Sequence, residues 1–222
     1  MHPENSLPAF RAAADAGIEW VECDVQQSSD GFPIIIHDDV LQRTIAVSGR
    51  VDRHRADEVF HLRLRDHGGR PSDAVVPVLT SRRHAFAGIR AKLLVEIKPA
   101  DAPQLVARTA QAMRAMHARW MIQSFDRANL EHARRSARGV EQALLIDKQS
   151  ELLLALDEDW PALHVAYELI DAELVRQMHE EGRAIGVWTV NNESDLRRMI
   201  ELGVDRIITD ESVLAKSLLD AI

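Results

Sequence analysis

Residues 172–209 read AELVRQMHEEGRAIGVWTVNNESDLRRMIELGVDRIIT, and their alternation decides the fold class. Ala172–Glu181 carries a helical pattern that stops at Gly182, and Ala184–Val190 is a short apolar run. Glu193–Leu202 is helical again and stops at Gly203, and Arg206–Thr209 returns to apolar residues. A glycine just past the last periodic residue is a helix stop. Short continuous apolar runs mark strands covered on both faces. Strands that alternate with helices build a parallel sheet with helical crossovers.

The same reading extends outward through the chain. Further strands are expected at Glu19–Gln26, Pro33–His37, Leu93–Lys98, Trp120–Phe125, Gln142–Ile146 and Leu163–Glu168. Helices are expected at Pro8–Ala16, Ala102–His117, Arg127–Ala137, Glu151–Asp157 and Ser212–Ala221. The steady repeat favours a (β/α)8 barrel of the TIM type over a doubly wound sheet. No low-complexity linker interrupts it, so residues 1–222 read as a single domain.

One connection departs from the pattern. Only eight residues separate Asp24 from Pro33, and they include Asp30-Gly31. A parallel crossover needs about a dozen or more residues, whereas Asp-Gly is a hairpin signal. Pro33–His37 should therefore fold back antiparallel and carry His37 towards the end of the strand that holds Glu22 and Asp24. Residues 43–90 form an irregular insertion, read as a long loop with one or two short helices. They hold ten arginines against five acids, which reads either as a solvated surface or as a basic rim that attracts an anionic substrate.

Bulk properties narrow the function classes. The chain has 222 residues and a formal net charge of -8, which does not favour a nucleic-acid partner. Its one cysteine, Cys23, allows no internal disulfide and fits a reducing compartment. The first residues carry no basic start and no apolar run, so no signal peptide is expected. No apolar stretch is long enough for a membrane span. The expectation is a soluble cytoplasmic protein of unspecified oligomeric state.

Chemistry in a parallel barrel sits at the C-terminal ends of the strands. One apolar run ends Glu22-Cys23-Asp24, and another ends Glu96-Ile97-Lys98. Residues two apart share a strand face, so Glu22 pairs with Asp24 and Glu96 with Lys98. Cys23 then faces the helix layer. If both pairs point inward, three carboxylates converge. Two like charges about 4 Å apart cost roughly 4 kcal/mol at an effective dielectric near 20. Such a group takes up protons or binds a hard divalent cation, Mg²⁺ or Ca²⁺; the plainer reading is strand-end acids paired with arginines. His37 beside them is a candidate general acid or base. Lys98 offers a point charge to a phosphate oxygen or simply neutralises Glu96. Trp188 suits either a barrel mouth, against the carbon skeleton of a substrate, or the core. The remaining histidines, His84 and His164 among them, have no transition-metal spacing and read mostly as surface residues.

These segments resemble the glycerophosphodiester phosphodiesterase family, in its compact bacterial form. The matching residues are Pro3-Glu4-Asn5-Ser6-Leu7, Glu22-Cys23-Asp24-Val25-Gln26 with Asp30-Gly31, and His37-Asp38-Asp39 with Leu41 and Arg43-Thr44. They continue with Glu96-Ile97-Lys98-Pro99, Ser124-Phe125-Asp126, Val187-Trp188-Thr189-Val190-Asn191, and Gly203-Val204-Asp205 before Ile208-Thr209-Asp210. The resemblance implies hydrolysis of glycerophosphodiesters to glycerol 3-phosphate and an alcohol. It implies that Glu22, Asp24 and Glu96 hold Mg²⁺ or Ca²⁺, and that His37 is one of two acid/base histidines. It places Lys98, Trp188, Glu4 and Phe125 around the substrate.

The resemblance also implies a departure. Members begin with a strand ending His-Arg-Gly, which supplies a first catalytic histidine and an arginine, and this sequence opens almost at Pro3. Pro77-Val78-Leu79-Thr80 stands where Pro-Thr-Leu and acidic residues are usual. The expectation is therefore a barrel incomplete at its N-terminus, with unpaired edges at Glu19–Gln26 and Arg206–Thr209. The natural protein is expected to be longer, and this form otherwise to be impaired in activity. Three alternatives remain: a non-catalytic homologue that binds phosphodiesters, a phospholipase-type lyase forming a cyclic phosphate, and an unrelated barrel acting on a sugar phosphate.

Overall fold

The computed structural model describes residues 2–79, 86 and 89–221. Helix α1 (Leu7–Asp15) precedes β1 (Trp20–Gln27), which turns back into β2 (Pro33–Ile35). An irregular stretch follows, with one helical turn α2 (Ala56–Val59) and strands β3 (Arg63–Arg65) and β4 (Pro71–Val75). The repeat then runs β5 (Lys92–Ile97), α3 (Pro103–Ala115), β6 (Trp120–Ser124), α4 (Arg127–Ser136), β7 (Glu141–Ile146) and α5 (Gln149–Leu156). It ends with β8 (Ala162–Ala166), α6 (Ala172–Glu180), β9 (Ala184–Trp188), α7 (Glu193–Leu202), β10 (Arg206–Ile207) and α8 (Ser212–Leu219).

Eight strands form one sheet in the order β10-β9-β8-β7-β6-β5-β1-β2, and every pairing but the last is parallel. This is the expected barrel architecture left open on one side. Among the described residues, β10 pairs only with β9, and the first half of β1 pairs only with β5. Caps fix where the helices start. Ser6, Asp126, Asp171 and Asn192 each accept a backbone N–H at the head of α1, α4, α6 and α7, a contact worth about 1 kcal/mol. Gly203 closes α7 in the left-handed conformation that other residues enter at a cost.

Alternation along the strands sorts the side chains into two layers. Val21, Cys23, Val25, Leu93, Val95, Ile97, Ile122 and Leu163 face the helices and form the main core. Leu94, Met121, Ala143 and Ala162 face inward and make a smaller floor. Cys23 lies in the helix-facing layer as expected, a fully buried free thiol whose pKa burial raises.

The antiparallel hairpin forms as its length required. Val25 stands opposite Ile35 and Gln27 opposite Pro33, and Ile36 N donates to Asp24 O. Gly31 takes φ +79° in the turn, where an added side chain would also crowd Gln104 and Arg108. On β2 and just after it, Ile35 joins the main core while Ile34 and Ile36 join a second core with Leu41, Ile45, Val51, Val59, Leu64 and Val78. The short helices expected within residues 43–90 form as turns at Val51–Arg53 and Ala56–Val59, but among the described residues this second core corrects the reading of the rest as a long loop. It holds a two-stranded sheet tied back to β2 by an antiparallel bridge between Ile34 and Val78. Thr80 and His84 lie outside the described residues. The expected strand Leu163–Glu168 ends sooner, at Ala166, and Glu168 sits on a 3-10 turn. No helix among the described residues is long and apolar enough to cross a membrane.

Candidate active site

The carboxylate pairs point inward from adjacent strands. Asp24 and Glu96 are register partners on β1 and β5, and Glu22 lies two residues before Asp24 on the same face. One ligand oxygen from each of the three lies within 4.8 Å of the other two. Lys98 Nζ stands 2.9 Å from Glu96 Oε1 and 3.4 Å from Asp24 Oδ1. The Lys98 ammonium thus sits against both carboxylates and offsets part of their charge. One ammonium among three carboxylates leaves an excess of negative charge. The donor set therefore fits a hard divalent cation with oxygen ligands.

The electrostatics record the same crowding. Burial, then Asp24 and Glu96, push the Glu22 pKa well above the carboxylate range. Burial pushes Glu96 up to about 7, although Lys98 pulls it down. Burial works against the Lys98 ammonium, but Glu96 and Asp24 outweigh it and raise its pKa. Carboxyls this close hold protons near neutral pH unless a cation replaces them.

His37 follows β2 and is exposed at the rim of a cavity of about 1870 Å³, which Glu22, Asp24, Glu96 and Lys98 also line. The carbonyl of His37 accepts from Gln26 Nε2, and its Nδ1 lies 2.7 Å from Asp38 Oδ1. Arg43 bonds both oxygens of Asp38, sharing Oδ1 with His37, and this contact, with the His37 contact, lowers the Asp38 pKa to about 2. The same guanidinium takes both oxygens of Glu4, at 2.6 and 2.7 Å. Glu4 is thus placed at the rim by a fork-shaped ion pair. Phe125 and Trp188 meet edge to face across the mouth, with ring centroids 5.4 Å apart. The indole N–H of Trp188 donates to His164 O. All eight site residues read from the sequence therefore line one cavity.

The basic-rim reading of residues 43–90 fails at four of its ten arginines. Arg50 pairs with Asp39 and Asp52, Arg55 with Asp30 and Asp57, Arg63 with Asp73, and Arg70 with Asp66. Their charge is satisfied locally, and among the described arginines of residues 43–90 only Arg43 lines the cavity.

Two contributors escaped the sequence reading. Asn5 clamps Asp24 twice: its Nδ2 donates to Oδ2 at 2.7 Å, and its Oδ1 accepts from Asp24 N at 3.0 Å. Its φ of +51° sets the amide before the Ser6 cap. Gln123 Nε2 donates to Glu22 Oε1 at 3.3 Å. Its signal was its position, inward on β6 and in register with Glu96. His164, read as a surface residue, is instead fully buried on β8.

Comparison with known proteins gives a consistent set of relatives. The family model described as the glycerophosphoryl diester phosphodiesterase family matches residues 1–214. A glycerophosphodiester phosphodiesterase of Caldanaerobacter subterraneus is 29% identical over 218 residues, covering 94% of this chain and 89% of that protein. A probable glycerophosphodiester phosphodiesterase of Mycobacterium tuberculosis is 28% identical, covering 99% and 86%. Two solved structures share the fold. A putative glycerophosphoryl diester phosphodiesterase of Silicibacter pomeroyi superposes with a TM-score of 0.86 at 24% identity, covering 99% and 89%. An Oleispira antarctica phosphodiesterase in complex with its product sn-glycerol-3-phosphate gives 0.85 at 22% identity, covering 98% and 92%.

Proposed function

We propose a reaction from the premise that this chain belongs to the glycerophosphoryl diester phosphodiesterase family: it hydrolyses glycerophosphodiesters to glycerol 3-phosphate and an alcohol, with a divalent cation. The observation that carries the metal-dependent part is the convergence of buried Asp24 and Glu96 with half-buried Glu22, one ligand oxygen of each lying within 4.8 Å of the others. In this reading those three residues hold Mg²⁺ or Ca²⁺. When bound, the cation polarises a phosphoryl oxygen as a Lewis acid.

The chain's own groups do the rest. Lys98 neutralises part of the carboxylate charge and offers N–H donors to a phosphate oxygen. His37 moves a proton, with Asp38 fixing its Nδ1 so that Nε2 is the exchanging atom. Phe125 and Trp188 form an apolar wall for the carbon skeleton of glycerol or the alcohol. Glu4, held by Arg43, accepts from a glycerol hydroxyl at the rim. A cytoplasmic location belongs to the same reading, supported by Cys23 as a lone free thiol.

The test is turnover of glycerophosphocholine, followed by release of glycerol 3-phosphate, in EDTA and then with Mg²⁺ or Ca²⁺. Activity should appear only with cation and should vanish in Asp24→Asn. Cation-independent turnover sinks the metal reading. Binding without product, in a folded protein, favours a phosphodiester-binding homologue or an impaired form instead. A cyclic phosphate product favours the lyase.

A further inference from the structure

His164 is an imidazole that the proposed reaction does not use. It is fully buried on β8, between Leu145 on β7 and Gly186 on β9 in the register of the sheet. It shares its strand face with Ala162 of the inward floor, so it points into the barrel interior. The ring has room only because its neighbour is glycine. A Cβ added at Gly186 would lie 2.6 Å from His164 Cδ2, so β9 is built around this side chain.

The hydrogen bonds give the ring a direction. His164 Nδ1 lies 2.7 Å from Gln123 Oε1, and Gln123 Nε2 donates to Glu22 Oε1 at 3.3 Å. An amide that donates to a carboxylate must present its carbonyl on the other side. Nδ1 of His164 therefore carries the hydrogen. Among the described residues its Nε2 has no hydrogen-bond partner, as suits a bare lone pair better than a stranded N–H. Burial, helped by Arg206, keeps this ring neutral by lowering its pKa to about 3. Were the tautomer reversed, Nδ1 would face Gln123 Oε1 lone pair to lone pair. The amide would then turn its carbonyl on Glu22.

We propose that His164 and Gln123 are positioning residues for Glu22: the His164 Nδ1–H fixes the Gln123 amide, and the amide N–H holds one carboxylate oxygen of Glu22 in the trio. This rests on the reading of Glu22 as a metal ligand. Outer partners of this kind orient a ligand, and their loss costs about 10–100-fold in metal affinity. His164 reaches Glu22 from β8 through β6, across the open barrel interior.

The test uses Mg²⁺ and Ca²⁺, each titrated alone into the metal-free protein by calorimetry. Gln123→Met keeps the volume and removes the amide, and should weaken binding about 10-fold or more. His164→Leu should do the same, and His164→Asn, which retains a donor near Nδ1, should bind within about 3-fold of the parent. Circular dichroism checks the fold of each variant. Folded Gln123→Met with parental affinity overturns the proposal. A second readout needs no variant: with Mg²⁺ present, so that Glu22 is a carboxylate, long-range ¹H–¹⁵N spectra of the parent protein should report a neutral His164 protonated at Nδ1. An Nε2–H tautomer overturns the relay even if every variant misfolds. Parent protein that binds neither cation overturns the metal reading itself, a result distinct from an unaffected Gln123→Met.

Discussion

Glu96→Gln should stabilise the metal-free protein above about pH 4.5, with the full gain reached above about pH 7. Glu96 is 7% exposed, and its pKa stands at about 7 against an ordinary 4.5. At about 1.4 kcal/mol per pH unit, holding it ionised costs the fold about 3 kcal/mol. The sign follows from linkage. The folded state binds this proton more tightly than the unfolded chain. There is thus no cost below pH 4.5, a growing cost between 4.5 and about 7, and the full cost above. Glutamine imitates the protonated acid at every pH. At pH 8 in EDTA the variant should gain about 3 kcal/mol, or roughly 6–12 °C in Tm for a chain of this length. At pH 4.5 the two proteins should melt together to within about 2 °C. Added Mg²⁺ or Ca²⁺ should reverse the order at pH 8, because a cation rewards only the intact trio. The assay is thermal melting at the two pH values, with EDTA and then with cation. A gain of equal size at both pH values, or no gain at pH 8, refutes the reasoning, since neither can come from ionisation of Glu96.

Further outcomes follow from the same geometry. Asn5→Ala removes both bonds to Asp24 and should cost about 1–3 kcal/mol of stability in urea melts, together with about 10-fold in cation affinity by calorimetry. His37→Gln should lower kcat by about 10²–10⁴-fold with cation affinity unchanged, and Asp38→Asn should lower kcat with little change in KM; parental kcat in both variants removes His37 from the reaction. Arg183 donates to the backbone oxygens of Ala155, Leu156 and Trp160, joining the C-terminus of α5 to the start of β9. Arg183→Met should therefore cost about 2–3 kcal/mol in denaturant melts and leave KM unchanged.

The legible parts of this molecule are those where a local rule forces a long-range result. Ala184–Val190 followed by Glu193–Leu202 has no good home except a covered parallel strand and its crossover, and β9 and α7 form there. The span from Asp24 to Pro33 is too short for anything but a hairpin, and strand alternation then brings Glu22, Asp24 and Glu96 to one face. The strands β3 and β4 escaped because each buries a single residue, Leu64 and Ala74, so no apolar run marks them. Arginine count suggested a field at Arg50, Arg55, Arg63 and Arg70 that their local acids cancel, a cancellation visible only once partners are placed in space. The burial of His164 was within reach, since its parity with Ala162 and Ala166 sends it inward; a histidine's average exposure outweighed that parity. Nothing local to Asn5 announces Asp24, 19 residues away.

Strand β2 with the residue after it is a party wall, with Ile35 on one side and Ile34 and Ile36 on the other. A segment shared in this way can detach through the smaller side while the larger one stays shut, so protection against amide exchange should be graded along it. Ile36 donates its amide to Asp24, and His37 is the next residue. That amide bond and the Gln26 bond to the His37 carbonyl together hold the imidazole at the cavity rim, and a deuterium label at Ile36 would time the opening of the first.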